Sequence, residues 1–152
     1  MIRGGSIRVC CTDGADTVAL MTDQGASIDG GTDTIVFVAH GSRAEAANSA
    51  HEAVARQLGD RLGAPVVAAF LELAEPSIAA GIEQAVATGA SRVLVLPYFL
   101  YPGRHLTRDI PELVAAAAAS HPSVAIEVLN AFGADPDVVG LLATQAERAL
   151  HP

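Results

Sequence analysis

From residue 34 onward, short apolar runs alternate with longer segments whose apolar positions recur at helical spacing. Ile35-Val36-Phe37-Val38-Ala39 is a continuous, largely β-branched run, which predicts a strand covered on both faces. Ala44 to Leu62 places Ala47, Ala50, Val54, Leu58 and Leu62 on one helical stripe, and Gly63 with Pro65 just beyond is a stop signal. Val66 to Leu71 reads as the second strand. Pro76 opens a helix with Ile78, Ile82, Ala85 and Val86 on its buried face and Gly89 past its end. Arg92 to Leu96 is the third strand, and Pro97 to Ile110 a long loop. Pro111 then opens an alanine-rich helix ending at Ser120, Val124 to Leu129 is the fourth strand, and Asp137 to Leu150 the last helix. Four β-α units with short returns predict an α/β fold: an open four-stranded parallel sheet with helices on both faces.

Residues 1–33 differ from the rest. They hold six of the fourteen glycines and five aspartates without sustained periodicity, so they read as a flexible N-terminal arm before a domain spanning 34–152. Met21 offers an alternative translation start within that arm. The length of 152 residues fits one domain, and 51% hydrophobic residues supply a core. With 4% aromatics and no Trp, that core must be aliphatic. A net charge of -8 argues against nucleic acid and against an anionic membrane surface. All nine basic residues are Arg, a side chain that grips carboxylates in a fork as Lys cannot. Cys10 and Cys11 are adjacent, which disfavours a disulfide and offers no zinc spacing. The apolar run Val18 to Met21 is too short for a signal peptide, and no stretch reaches the ~20 residues that cross a bilayer. The expected location is the cytoplasm.

In an open parallel sheet, ligands bind beyond the carboxyl ends of the strands, near the point where strand order reverses. That rule selects the loops His40 to Arg43, Glu72 to Ser77, Tyr98 to Pro111 and Asn130 to Asp135. In a 2-1-3-4 order, His40 and His105 face each other across the reversal, and Glu72 is near enough to join them. Two imidazoles and a carboxylate suit a divalent first-row metal. The same residues fit a plainer reading, in which a strand-end His bonds its loop and a loop Glu is solvated. Arg43, Arg104 and Arg108 flank these loops, either as carboxylate grips or as ordinary surface charges. Tyr98, Phe99 and Tyr101 either wall an apolar site or anchor their loop. Ser42 and Gly41 read as caps for the following helix, and Glu75 and Asp109 as residues that position loops and cap helices. His51, His121 and His151 read as structural or solvated.

Three segments in register resemble the CbiX/SirB group of sirohydrochlorin chelatases. They are Val38-Ala39-His40-Gly41-Ser42-Arg43, Ala69-Phe70-Leu71-Glu72-Leu73-Ala74-Glu75-Pro76-Ser77, and Leu96-Pro97-Tyr98-Phe99-Leu100-Tyr101-Pro102-Gly103-Arg104-His105 continuing through Leu106-Thr107-Arg108-Asp109-Ile110-Pro111. The resemblance covers roughly residues 34–150. It implies a class II chelatase fold and insertion of a divalent metal into the tetrapyrrole sirohydrochlorin, cobalt first and iron next, toward cobalamin or siroheme; some short members handle nickel. By the same resemblance, His40 and His105 are the metal-handling histidines and Glu72 the acidic residue that assists them. His105 would be principal base and ligand, His40 second ligand, and Glu72 ligand or proton acceptor. Sirohydrochlorin carries eight carboxylates, which Arg43, Arg104 and Arg108 would grip, while Tyr98 and Tyr101 would line the ring.

Larger relatives contain two similar halves and this chain has one, so a homodimer is expected. No permanently bound cofactor is expected, the metal being a substrate. The competing reading is a non-catalytic metal or tetrapyrrole carrier on the same fold. A Ser42/His40 hydrolase is weaker, for want of a G-x-S-x-G elbow, and phosphoryl transfer is disfavoured by the lack of a P-loop.

Overall fold

The structure, a computed structural model, describes residues 32–150. Its elements in chain order are β1 (Thr32–Ala39), α1 (Glu45–Leu62), β2 (Val66–Phe70), α2 (Ile78–Ala87), β3 (Ala90–Pro97), α3 (Ile110–Ser120), β4 (Ala125–Val128) and α4 (Asp137–Leu150). A π-helical turn, His105–Asp109, runs directly into α3, and a 3-10 turn, Phe132–Ala134, precedes α4. All strand pairs are parallel and the order is β2-β1-β3-β4. The parallel α/β architecture is the one the apolar runs predict, and the strand order is the 2-1-3-4 in which His40 and His105 are expected to meet. Val36 in β1 is level with Val67 in β2 and Val95 in β3, so β-branched side chains lie side by side across the sheet.

Alternation along β1 divides the two faces of the sheet. Val36 and Val38 point into a cluster completed by Ile78 and Ile82 of α2, Val93 and Val95 of β3, Ile110 and Val114 of α3, and Ile126 of β4. These side chains are buried and aliphatic, and each contributes about 1.5–3 kcal/mol by leaving water. Phe37 points to the other face, where it stacks on His51 of α1 with ring centroids 4.5 Å apart. Phe70 and Tyr98 complete that aromatic patch around the His51 ring.

His51 is structural, as its place beside the apolar stripe suggests. Its Nε2 donates to the Phe37 carbonyl at 3.0 Å, and burial, outweighing that bond, lowers its pKa. The unfolded imidazole titrates at about 6.5 and takes up its proton first. Its contribution to stability is therefore complete above that value and is lost as pH falls toward the folded one. Urea midpoints are expected to fall between pH 7.5 and 5.5, with the His51 ring titrating below its ordinary value by NMR. A ring titrating at or above that value would contradict this assignment.

Several boundaries differ from the sequence expectation. β1 begins at Thr32, so Thr32 and Asp33 belong to the sheet rather than to the arm, and the Asp33 carboxylate pairs with Arg92 of β3. The remainder of the arm, residues 1–31 with Cys10, Cys11 and Met21, lies outside the described residues, as does His151. The segment read as a loop to Ile110 is helical from His105, closed by Ile110 N–H to the His105 carbonyl. Pro111 resembles a helix start because it needs no N–H donor, but the helix here runs through it from a widened turn. Helix α2 starts at Ile78 and is capped by Ser77, whose hydroxyl accepts from Ala80 N–H.

Helix α4 has the expected limits but buries none of its residues. Val139, Leu141 and Leu142 are 72%, 61% and 59% exposed. Among the described residues, no helix is long and apolar enough to cross a membrane.

Candidate metal-handling site

β1 and β2 remain hydrogen-bonded past their formal ends. Leu71 N–H donates to the Ala39 carbonyl and Glu72 N–H to the His40 carbonyl, both at 2.9 Å. This pairing sets His40 and Glu72 side by side at the carboxyl edge of the sheet. Gly41 makes the approach possible. Its φ is +89°, and a Cβ there would overlap the Glu72 carbonyl oxygen. The His40 Nε2 and Glu72 Oε2 are 4.0 Å apart.

On the other side of β1, Tyr98 N–H donates to the Val38 carbonyl and continues the β3 pairing by one residue. The chain then passes through Gly103, whose carbonyl accepts from Leu106 N–H and Thr107 N–H, and enters the π-helical turn at His105. The His105 and His40 rings meet edge to face, with centroids 5.2 Å apart and planes at 71°.

One donor atom from each of His40, Glu72 and His105 lies within 4.8 Å of the others. An ion with bonds of about 2.1 Å holds its donors no more than about 4.2 Å apart, so small side-chain rotations bring all three onto one centre. Each residue comes from a different strand-to-helix connection, His105 from the start of the π-helical turn, which makes the cluster a product of strand order rather than local spacing. Side-chain exposures of 45%, 54% and 37% leave the centre open to solvent. Two imidazoles and a carboxylate, with coordination positions to spare, can take a hydrated divalent ion and pass it on.

The other predicted residues are dispersed. Arg43 is exposed at the turn into α1. Arg104 is exposed beside His105, its Nε 3.8 Å from Asp109 Oδ1, and Arg108 pairs with Glu112 at 3.1 Å. Tyr98 has Phe37, His51 and Phe132 as ring neighbours rather than the two site histidines. Tyr101, 82% exposed, lines an apolar groove with Phe132, Val138 and Leu142 at the base of α4. Phe99 packs against the aliphatic core and anchors the loop. The structure thus brings His40, Glu72 and His105 together and turns Tyr98 and Tyr101 toward the α1 and α4 side.

Gly41 makes no cap for α1, whereas the Ser42 hydroxyl accepts from the N–H of the N-cap residue Ala44 at 3.1 Å, and the Asn48 amide bridges Ser42 N–H at 2.9 Å and the Ser42 carbonyl at 2.8 Å. Asp109 does not cap α3 either; its Oδ2 accepts from His105 Nδ1 at 2.8 Å. That contact was hidden because the segment read as loop, where the four-residue interval between His105 and Asp109 has no meaning. In a helix, the interval makes them neighbours. Glu75 does position its loop, accepting Ser77 N–H at 2.8 Å. His121 bonds Glu83 at 2.8 Å, a surface tie between α2 and the end of α3.

Comparison with known proteins agrees with the fold. The family model described as CbiX matches residues 34–149. The chloroplastic sirohydrochlorin ferrochelatase of Arabidopsis thaliana is 40% identical over 105 residues, covering 68% of this chain and 47% of that protein. Among solved structures, SirB from Bacillus subtilis with Fe3+ superposes with a TM-score of 0.71 at 32% identity, over 80% of this chain and 48% of that one. The sirohydrochlorin chelatase SirB from Bacillus subtilis subspecies spizizenii in complex with cobalt gives 0.70 at 33% identity, over 77% and 50%. The chain spans about half the length of the curated relatives it matches first, between 41% and 47%.

Proposed function

The chain belongs to the CbiX family, and from that premise we propose that it is a sirohydrochlorin chelatase, a lyase that inserts a divalent metal into the free-base tetrapyrrole. The observation that carries this reading is the convergence of His40, Glu72 and His105 from three separate connections at the carboxyl edge of the sheet, with donor atoms within 4.8 Å of one another. Cobalt is the first candidate metal and iron the second, with nickel also compatible, since a His/Glu donor set admits all three. Products of that kind serve cobalamin or siroheme biosynthesis, and the proposed location is the cytoplasm.

Insertion exchanges two pyrrole N–H protons for one M2+. The protein must hold the ion while it sheds water and must accept protons as ring nitrogens bind. His105 acts as principal ligand and, once the same nitrogen has released the ion, as base; His40 is the second ligand, and Glu72 a ligand or proton acceptor. Arg104 and Arg43 are exposed at the rim, where guanidinium forks suit the carboxylates of the substrate. Arg108 can join them only by loosening its pair with Glu112. Tyr98 and Tyr101 contact the macrocycle only if it extends toward α4.

The reading includes a second copy of the chain packed on α4. Val138, Leu141, Leu142 and Gln145 recur at helical spacing along α4 and, with Leu100 and Tyr101, line an apolar groove of about 540 Å3. A homodimer covers that stripe, and supplies a second wall for a flat ring if the macrocycle extends toward α4. Replacing Leu141 and Leu142 together with aspartate is expected to halve the mass seen by light scattering. A wild-type monomer with full turnover would contradict the dimer.

The activity is tested anaerobically by the visible absorbance of sirohydrochlorin with Co2+, Fe2+ or Ni2+. Rates well above the spontaneous background, with more product than protein, are expected. Binding of metal or tetrapyrrole without turnover would instead identify a carrier.

A further inference from the structure

The two histidines of the site are held very differently. His40 has one weak tether, its Nδ1 lying 3.3 Å from the carbonyl of adjacent Gly41. His105 is bound by a carboxylate: Asp109 Oδ2 lies 2.8 Å from Nδ1, one turn further along the same helix. An ionised carboxylate only accepts, so the proton of this bond resides on Nδ1. The lone pair is then on Nε2, across the ring from Asp109. The Arg104 Nε stands 3.8 Å from the other Asp109 oxygen, too far for a hydrogen bond. Asp109 is half-buried, makes no cap for α3, and is not among the three residues whose donors converge.

We propose that Asp109 is a positioning residue, which fixes His105 in the Nδ1–H tautomer and aims Nε2 at the incoming metal. The inference rests on the metal-handling role given above to His105. It divides the labour between the imidazoles: His105 is the fixed point of attachment, while His40 and Glu72 turn on and off the ion. The π-helical turn contributes by carrying both partners on one rigid element that continues into buried Ile110 and Val114.

Co2+ binding to the protein alone, read by its visible absorption and by calorimetry, tests this without any insertion assay. Asp109→Ala is expected to weaken Co2+ binding by about 10- to 100-fold. Asp109→Asn should recover most of that loss, because the amide oxygen still accepts from Nδ1. In a His105→Ala background, Asp109→Ala should add nothing, since Asp109 acts only through the ring. Long-range 15N NMR of the metal-free wild type should show the His105 proton on Nδ1, a reading that needs no variant to fold.

Wild-type affinity in Asp109→Ala, an undiminished loss in the His105→Ala background, or a proton on Nε2 would overturn the proposal while leaving His105 in its role. Wild-type Co2+ binding in His105→Ala would overturn the metal-handling role itself, and the proposal with it.

Discussion

Replacing His105 with alanine is expected to lower the rate of metal insertion into sirohydrochlorin by at least about a hundredfold, the lower end of what a positioned acid–base group contributes. The variant loses the one nitrogen that holds the ion and, after releasing it, can accept a proton. Its imidazole lies outside the aliphatic cluster and is 37% exposed, so truncation leaves no core cavity. Circular dichroism and the urea midpoint should therefore stay close to wild type while the absorbance change of the macrocycle slows. His40→Ala should show the same pattern with a smaller loss, because that ring is weakly tethered and Glu72 stands beside it. A His105→Ala protein that inserts Co2+ at the wild-type rate would remove His105 from the chemistry.

Gly41→Ala is the second large effect, and it arises from backbone rather than chemistry. Alanine at φ +89° is strained, and its methyl group would overlap the Glu72 carbonyl oxygen. Relief requires the loop after β2 to move away from the end of β1, which breaks the Glu72 N–H bond to His40. A destabilisation of about 2–4 kcal/mol is expected, together with loss of Co2+ binding, because His40 and Glu72 separate. The urea midpoint and a Co2+ titration read the two consequences independently. A variant with wild-type values of both would show that the close approach of the two loops is dispensable.

The strands were legible because each is a short apolar run bounded by Gly or Pro, and the parallel order follows from helices between them. The 2-1-3-4 order, which the helices do not fix, is what places the ends of β1 and β3 side by side, and the pairing of His40 with His105 rests on that order. The π-helical turn was not legible. Pro111 gives the same signal whether a helix starts there or passes through it, and the Asp109 contact went unseen with it.

The direction of Tyr98 and Tyr101 depends on a contact between loops distant in sequence. Gly133 N–H donates to the Phe99 carbonyl at 2.8 Å, and a Cβ at Gly133 would overlap the backbone of Leu100. No periodicity encodes that docking. Helix α4 shows the converse case. Only its limits were read from the sequence; the stripe of Val138, Leu141 and Leu142 emerges from the structure, and a stripe names a face to be covered and not what covers it.

The central claim is that one ion held by His40, Glu72 and His105 is the ion delivered to the macrocycle. Its most direct test is a transfer measurement with the wild-type chain carrying a single equivalent of Co2+ and no free metal. On mixing with sirohydrochlorin, the absorption of protein-bound Co2+ should disappear with the same rate constant as cobalt sirohydrochlorin appears. Bound Co2+ that persists while the macrocycle is metallated only by added free ion would contradict the account.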